Sequence, residues 1–83
     1  MRIIAELPHP EFKISIFLMN QKYLVKFEKG TYEQTYKLSQ IDIPDGVDGV
    51  FKLLDLPFLD SVATRFTQMR NDFNNAFERY ELL

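Results

Sequence analysis

Between Met1 and Leu38, apolar and polar residues alternate with a period of two in short runs, which predicts β-strands near residues 1–7, 12–19, 22–28 and 31–38. Pro8-His9-Pro10 separates the first run from the second, because proline restricts both its own φ and the residue before it. Asn20-Gln21 and Lys29-Gly30 mark the next two turns, each short enough to force an antiparallel hairpin.

Register can be tested on this pattern, since a slip of one residue sends every side chain to the opposite face. A two-residue loop at Asn20-Gln21 sets Leu18 opposite Tyr23, Ile16 opposite Val25 and Ile14 opposite Phe27. An even loop around Lys29-Gly30 sets Phe27 opposite Tyr32, Val25 opposite Gln34 and Tyr23 opposite Tyr36. A four-residue loop from Pro8 to Glu11 aligns Leu7 with Phe12, Ala5 with Ile14 and Ile3 with Ile16. One face of a four-stranded meander is then apolar. On the other face Glu6, Lys13 and Glu28 alternate in sign and Lys26 meets Glu33, cross-strand pairs that contribute about 0.2–1 kcal/mol each.

After Leu38 the period changes. IDIPDGVDG, with its proline, glycines and aspartates, reads as a connection. Val47, Val50, Phe51 and Leu54 then recur at i, i+3, i+4 and i+7, the mark of a short amphipathic helix, with Asp45 or Asp48 as its N-cap. Pro57 ends or bends that helix and begins a second, capped by Asp55, because the first turn of a helix tolerates a missing N–H. Along the second helix Leu59, Val62, Phe66, Met69, Phe73, Ala76 and Tyr80 fall at alternating spacings of three and four, flanked by Phe58 and Phe77.

The pattern thus predicts an α+β fold of order ββββαα: a four-stranded antiparallel β-meander with one face covered by a short helix and a long C-terminal helix. Residues 1–83 form a single domain, with the sheet over 1–40, the connection over 41–46, and the helices over 47–55 and 57–80. A helix over 57–80 spans roughly 36 Å, whereas an eight-residue strand spans about 27 Å. The helix is therefore expected to overhang its sheet and to leave Phe73, Phe77 and Tyr80 in need of cover, from a second subunit for example.

Composition adds limits. A chain of 83 residues without cysteine has neither a disulfide framework nor a thiolate metal site, so its small core must suffice or be extended by a partner. No apolar run approaches the ~20 residues that cross a bilayer, and the N-terminal apolar stretch is too short for a signal peptide; the expectation is a cytoplasmic protein without a membrane contact. The net charge of −2 divides unevenly. Residues 1–40 carry six Lys/Arg against four Asp/Glu, and residues 41–83 four against eight. Neither half is basic enough for phosphate binding through counterion release, although the polarity can guide the docking of subunits.

Candidate chemistry is sparse. His9, the one histidine, lies between prolines with no second ligand or nucleophile nearby and reads as an exposed turn residue. Asp42, Asp45 and Asp48 recur every third residue, whereas an EF-hand alternates its ligands at every second position and closes on a glutamate; turn formation and capping account for them. No serine or threonine has a base beside it, and no glycine-rich loop precedes a helix in phosphate-cradling order. No catalytic, cofactor or metal residue is assigned, and an enzyme is not expected.

The remaining candidates are contact surfaces. On the outer face of the sheet Phe17 opposes Leu24, with Ile4 and Met19 extending a small apolar patch that either meets another chain or is shielded by the stems of Lys22 and Lys26. The edges of strands 1–7 and 31–38 offer unpaired backbone for strand addition. The expected function is protein–protein contact, most simply as a homodimer, through Ile4, Phe17, Met19 and Leu24, through a sheet edge, or through Phe73, Phe77 and Tyr80. The alternative is single-stranded nucleic-acid binding, because a curved sheet can present aromatics and lysines together. Four strands followed by a helix is similar in architecture to the repeats of Pur-type nucleic-acid-binding proteins. The register speaks against that alternative, since it puts Tyr23, Phe27, Tyr32 and Tyr36 on the covered face and Lys22, Lys26 and Lys37 on the other.

Overall fold

A computed structural model describes all residues from Met1 to Leu83. Four antiparallel strands, β1 (Arg2–Leu7), β2 (Lys13–Met19), β3 (Lys22–Lys29) and β4 (Tyr32–Ser39), form one open sheet in sequence order. A 3₁₀ turn at Gln40–Asp42 leads to α1 (Val47–Leu53) and α2 (Leu56–Glu81). The ββββαα order expected from the pattern is the observed one.

The β2–β3 register is also as expected, with Ile14 opposite Phe27, Ile16 opposite Val25 and Leu18 opposite Tyr23. Asn20 and Gln21 both adopt positive φ, 49° and 63°, as a two-residue hairpin loop following the twist of its strands requires. The next hairpin differs from expectation. Its loop is Gly30-Thr31, Lys29 pairs with Tyr32, and Phe27, Val25 and Tyr23 therefore face Gln34, Tyr36 and Leu38. Only Gly30 has positive φ there, 60°, which suits glycine at the first central position of a tight turn. The slip is two residues, so every side chain keeps its face and the apolar pattern is indifferent to it.

Strand β1 departs further. Leu7 pairs with Ile14 and Ala5 with Ile16, and an irregularity between Ile3 and Ala5 then brings Ile3 opposite Phe17. The extra residue of such a bulge reverses the alternation. Ile4 packs against the core, and Ile3 takes the outward place expected of Ile4.

Helix α1 starts at Gly46, whose φ of 68° and ψ of −145° belong to backbone that glycine alone adopts readily; neither Asp45 nor Asp48 caps it. Val50 is its buried anchor, while Phe51 lies at the rim. Helix α2 starts as predicted: Asp55 Oδ1 accepts a hydrogen bond from the Phe58 N–H at 3.0 Å, with Pro57 in the first turn. The core lies between the inner face of the sheet and the two helices. Phe27, fully buried, is edge-on to Phe12, Tyr36 and Phe58 at centroid distances of 5.6–5.9 Å, and Phe12 also meets Phe66 at 5.7 Å.

Gln34 is the one amide on this apolar face, and it ties the sheet to α2. Its Nε2 donates to the Val62 carbonyl at 3.0 Å, and its Oε1 accepts from the Tyr36 hydroxyl at 3.0 Å. Arg65 donates in turn to the Tyr36 oxygen at 3.4 Å. No buried side-chain polar atom lacks a partner.

Candidate functional site

The seam of α2 divides into two parts. Val62 and Phe66 are buried and Leu59 and Met69 are half-buried under the sheet. Beyond them Phe73, Phe77 and Tyr80 are 59%, 50% and 68% exposed. The 26 residues of α2 extend about 39 Å at 1.5 Å per residue, and the sheet runs out first. Its last aromatic contact is Tyr32, beside the β3–β4 turn, whose ring lies 6.4 Å from that of Phe73. The molecule is elongated as a result. Its radius of gyration is 15.3 Å, against roughly 12 Å for a compact chain of this length.

Past Tyr32 the aromatic contacts continue along the helix itself, Phe73 to Phe77 at 6.5 Å and Phe77 to Tyr80 at 5.8 Å. These i, i+4 and i, i+3 neighbours form one stripe. A groove beside it is lined by Thr31, Tyr32, Met69, Asp72, Phe73 and Ala76. Arg70 and Arg79 lie among Asp72, Glu78 and Glu81 in the same exposed segment, so its charge is mixed and slightly negative.

The outer face of the sheet is different. Leu24 is only 9% exposed, and Phe17 and Met19 are half-buried. Met1, Lys26, Glu33 and Thr35 surround Phe17 and Leu24 around a small hollow, and Ser15 in the neighbouring row is itself buried. Of the four residues expected to form the outer patch, the structure brings Phe17, Met19 and Leu24 to one face and removes Ile4 from it. Lys26 and Glu33 border what remains, where the stems of long side chains can lie over apolar surface.

The ion pairs of this face run diagonally. Lys26 Nζ lies 3.1 Å from Glu33 and Lys13 Nζ 3.9 Å from Glu6, while directly across the strands Lys26 opposes Thr35 and Glu28 opposes Glu33. The hydrogen bond that Lys26 donates to Glu33, then the nearby charges of Glu28 and Glu33, raise the Lys26 pKa above its ordinary value. Glu28 and Glu33 repel each other across the pair, and Lys26 between them offsets that repulsion.

Neither sheet edge presents a long flat apolar strand. The bulge distorts β1, and the outward residues of β4 include Glu33 and Lys37, both features that discourage edge pairing.

His9 is half-buried rather than exposed, because its ring stacks on Phe12 at 3.9 Å and 11°. Its Nδ1 accepts from the Glu11 N–H at 3.1 Å, which closes the turn. No carboxylate or hydroxyl is hydrogen-bonded to it. Asp42, Asp45 and Asp48 are all exposed and do not gather into a ligand set; Asp45 instead approaches Lys52 at 3.5 Å. A second apolar hollow, of about 370 Å³, lies between α1 and the β4 side of the sheet, lined by Val25, Tyr36, Leu38, Val50, Leu53, Leu54 and Phe58. Asp55 at its edge is the one charged group there, and its carboxylate is engaged in capping α2. Sequence reasoning did not find this hollow, because it is formed by residues from four separate elements.

No helix is long and apolar enough to cross a membrane. Comparison with protein-family models, with curated proteins and with solved structures finds no match for this chain.

Proposed function

We propose that this domain acts by protein–protein contact, that the overhanging part of α2 is its contact surface, and that its simplest partner is a second copy of itself. The observation that carries this reading is the stripe Phe73, Phe77 and Tyr80, contiguous, aromatic and half to two-thirds exposed at the end of the molecule. Aromatics grouped in this way are the usual anchors of protein interfaces, and removing them from water is favourable by roughly 25 cal/mol per Å². The outer sheet face is the weaker candidate, since Leu24 is already nearly covered. Nothing in the geometry around His9 or the aspartates supports an enzymatic role.

Single-stranded nucleic acid fits the stripe less well. A stacking platform sets aromatic planes within a positive groove, and here Asp72, Glu78 and Glu81 outnumber Arg70 and Arg79.

Sedimentation analysis from low to several hundred micromolar tests the proposal. The expected result is a mass that rises with concentration for the native chain and stays monomeric for Phe73→Glu/Tyr80→Glu, with Phe17→Lys still associating. A native chain that remains monomeric throughout removes the self-association reading. Loss of association on Phe17→Lys alone moves the contact to the sheet.

A further inference from the structure

The stripe has a register in which it complements itself. Met69, Phe73, Ala76 and Tyr80 are spaced four, three and four, the repeat of the two core positions of a helix pair. We infer that two copies pair through these segments as antiparallel helices, with Phe73 of each over Ala76 of the other and Tyr80 over Met69. This rests on the self-association proposed above and specifies its geometry.

Steric exclusion settles the direction. The stripe continues the face of α2 that its own sheet covers from Leu59 to Met69. Parallel helices sharing that face would drive the two sheets into the same space. Antiparallel helices place the sheets at opposite ends, and each helix extends the layer that the other chain's sheet begins. The groove beside Tyr32, with Met69, Asp72 and Phe73 in its walls, is where the second helix enters.

Charge selects the register. The residues that precede Phe73 and Tyr80 on the helix are Asp72 and Arg79, both exposed. In the antiparallel layers just given, these positions face each other across the seam, so Asp72 of each copy meets Arg79 of the other, twice by symmetry. On the other flank Arg70 meets the ring of Phe77, an arrangement that suits a cation over an aromatic face. Sliding one helix by a heptad brings Arg79 against its own symmetry mate. The large ring of Phe73 over the methyl group of Ala76 also lets the helices approach closely.

Area sets the strength. Aromatic side chains present about 150–250 Å² each. At the exposures found for these three, each copy offers roughly 350 Å², and the pair about 700 Å², to be supplemented by the flanking charged residues before it reaches the ~1,000 Å² of a stable interface. An interface of this size is expected to be weak and reversible.

Charge reversal is the test, because Asp72 and Arg79 are exposed and stand two turns apart on their own helix, out of reach of each other. Asp72→Arg and Arg79→Asp are each expected to weaken self-association about tenfold or more by facing like charges across both symmetric sites. The double variant Asp72→Arg/Arg79→Asp is expected to restore it, and an equimolar mixture of the two single variants to form a heterodimer, with thermal melts confirming that every variant is folded. If the native chain dimerises and neither the double variant nor the mixture recovers association, the antiparallel register is wrong and the contact reading survives. A native chain that stays monomeric overturns both.

Discussion

The two halves of α2 carry the same spacing of apolar residues, yet Val62 and Phe66 are buried while Phe73 and Tyr80 stand mostly in water. Periodicity describes a face, and a face is buried only as far as something lies across it. Here the cover ends with Tyr32 at the β3–β4 turn, because strands of eight residues are shorter than a helix of 26. The first half of the helix is accounted for by stability. The second half leaves its apolar stripe largely open to water, which is the basis of the contact proposed above.

The sharpest way to break this contrast is to truncate one aromatic from each half. Phe66→Ala is expected to cost about 3–5 kcal/mol of unfolding free energy, as for other large aromatic truncations in a core. Phe73→Ala should change monomer stability by no more than about 0.5 kcal/mol, the usual range for exposed positions. Chemical denaturation at a protein concentration low enough to keep the chain monomeric reads both. Comparable losses at the two sites would mean that the overhang is part of the monomer's core.

Gln34 is the point at which the covered half is fastened to the sheet. Gln34→Leu preserves volume but removes both hydrogen bonds, to the Val62 carbonyl and from the Tyr36 hydroxyl, with an expected loss of about 1–3 kcal/mol. Hydrogen exchange should then rise in α2 near Val62 and remain unchanged at the already exposed end beyond Phe73. Uniform acceleration along the helix would show that the two halves open as one unit.

The smallest effect belongs to the outer face of the sheet. Because the pKa of Lys26 is raised in the folded state, the pair with Glu33 stabilises the fold at pH below the ordinary lysine value of about 10.4, and this contribution is lost as pH rises through the higher folded value. Glu33→Gln should reduce that alkaline dependence in a pH series of thermal melts and be sensitive to salt, as exposed pairs are. An unchanged alkaline profile would leave the pair without a stabilising role.

Much of this was legible along the chain, for reasons that also explain what was not. Asp55 before Pro57 announced the start of α2, and the even loop at Asn20-Gln21 set the β2–β3 register. Gly30-Thr31 as the true second loop was hidden, since a slip of two residues leaves the faces of Phe27, Val25 and Tyr23 unchanged. The bulge in β1 was hidden too: Ile3 and Ile4 are both β-branched and apolar, so the pattern there cannot say which is turned inward. That ambiguity placed Ile4 in the outer patch.

What the sequence determined by itself is therefore what local chemistry and parity control: the elements, their order, the apolar face of each beyond the start of β1, and the cap of α2. Where each layer stops was decided only in three dimensions. Strand length, hairpin register and the bulge together set how far the sheet reaches along α2, and no local pattern encodes that sum. The same stripe of side chains is consequently core at Phe66 and open surface at Tyr80.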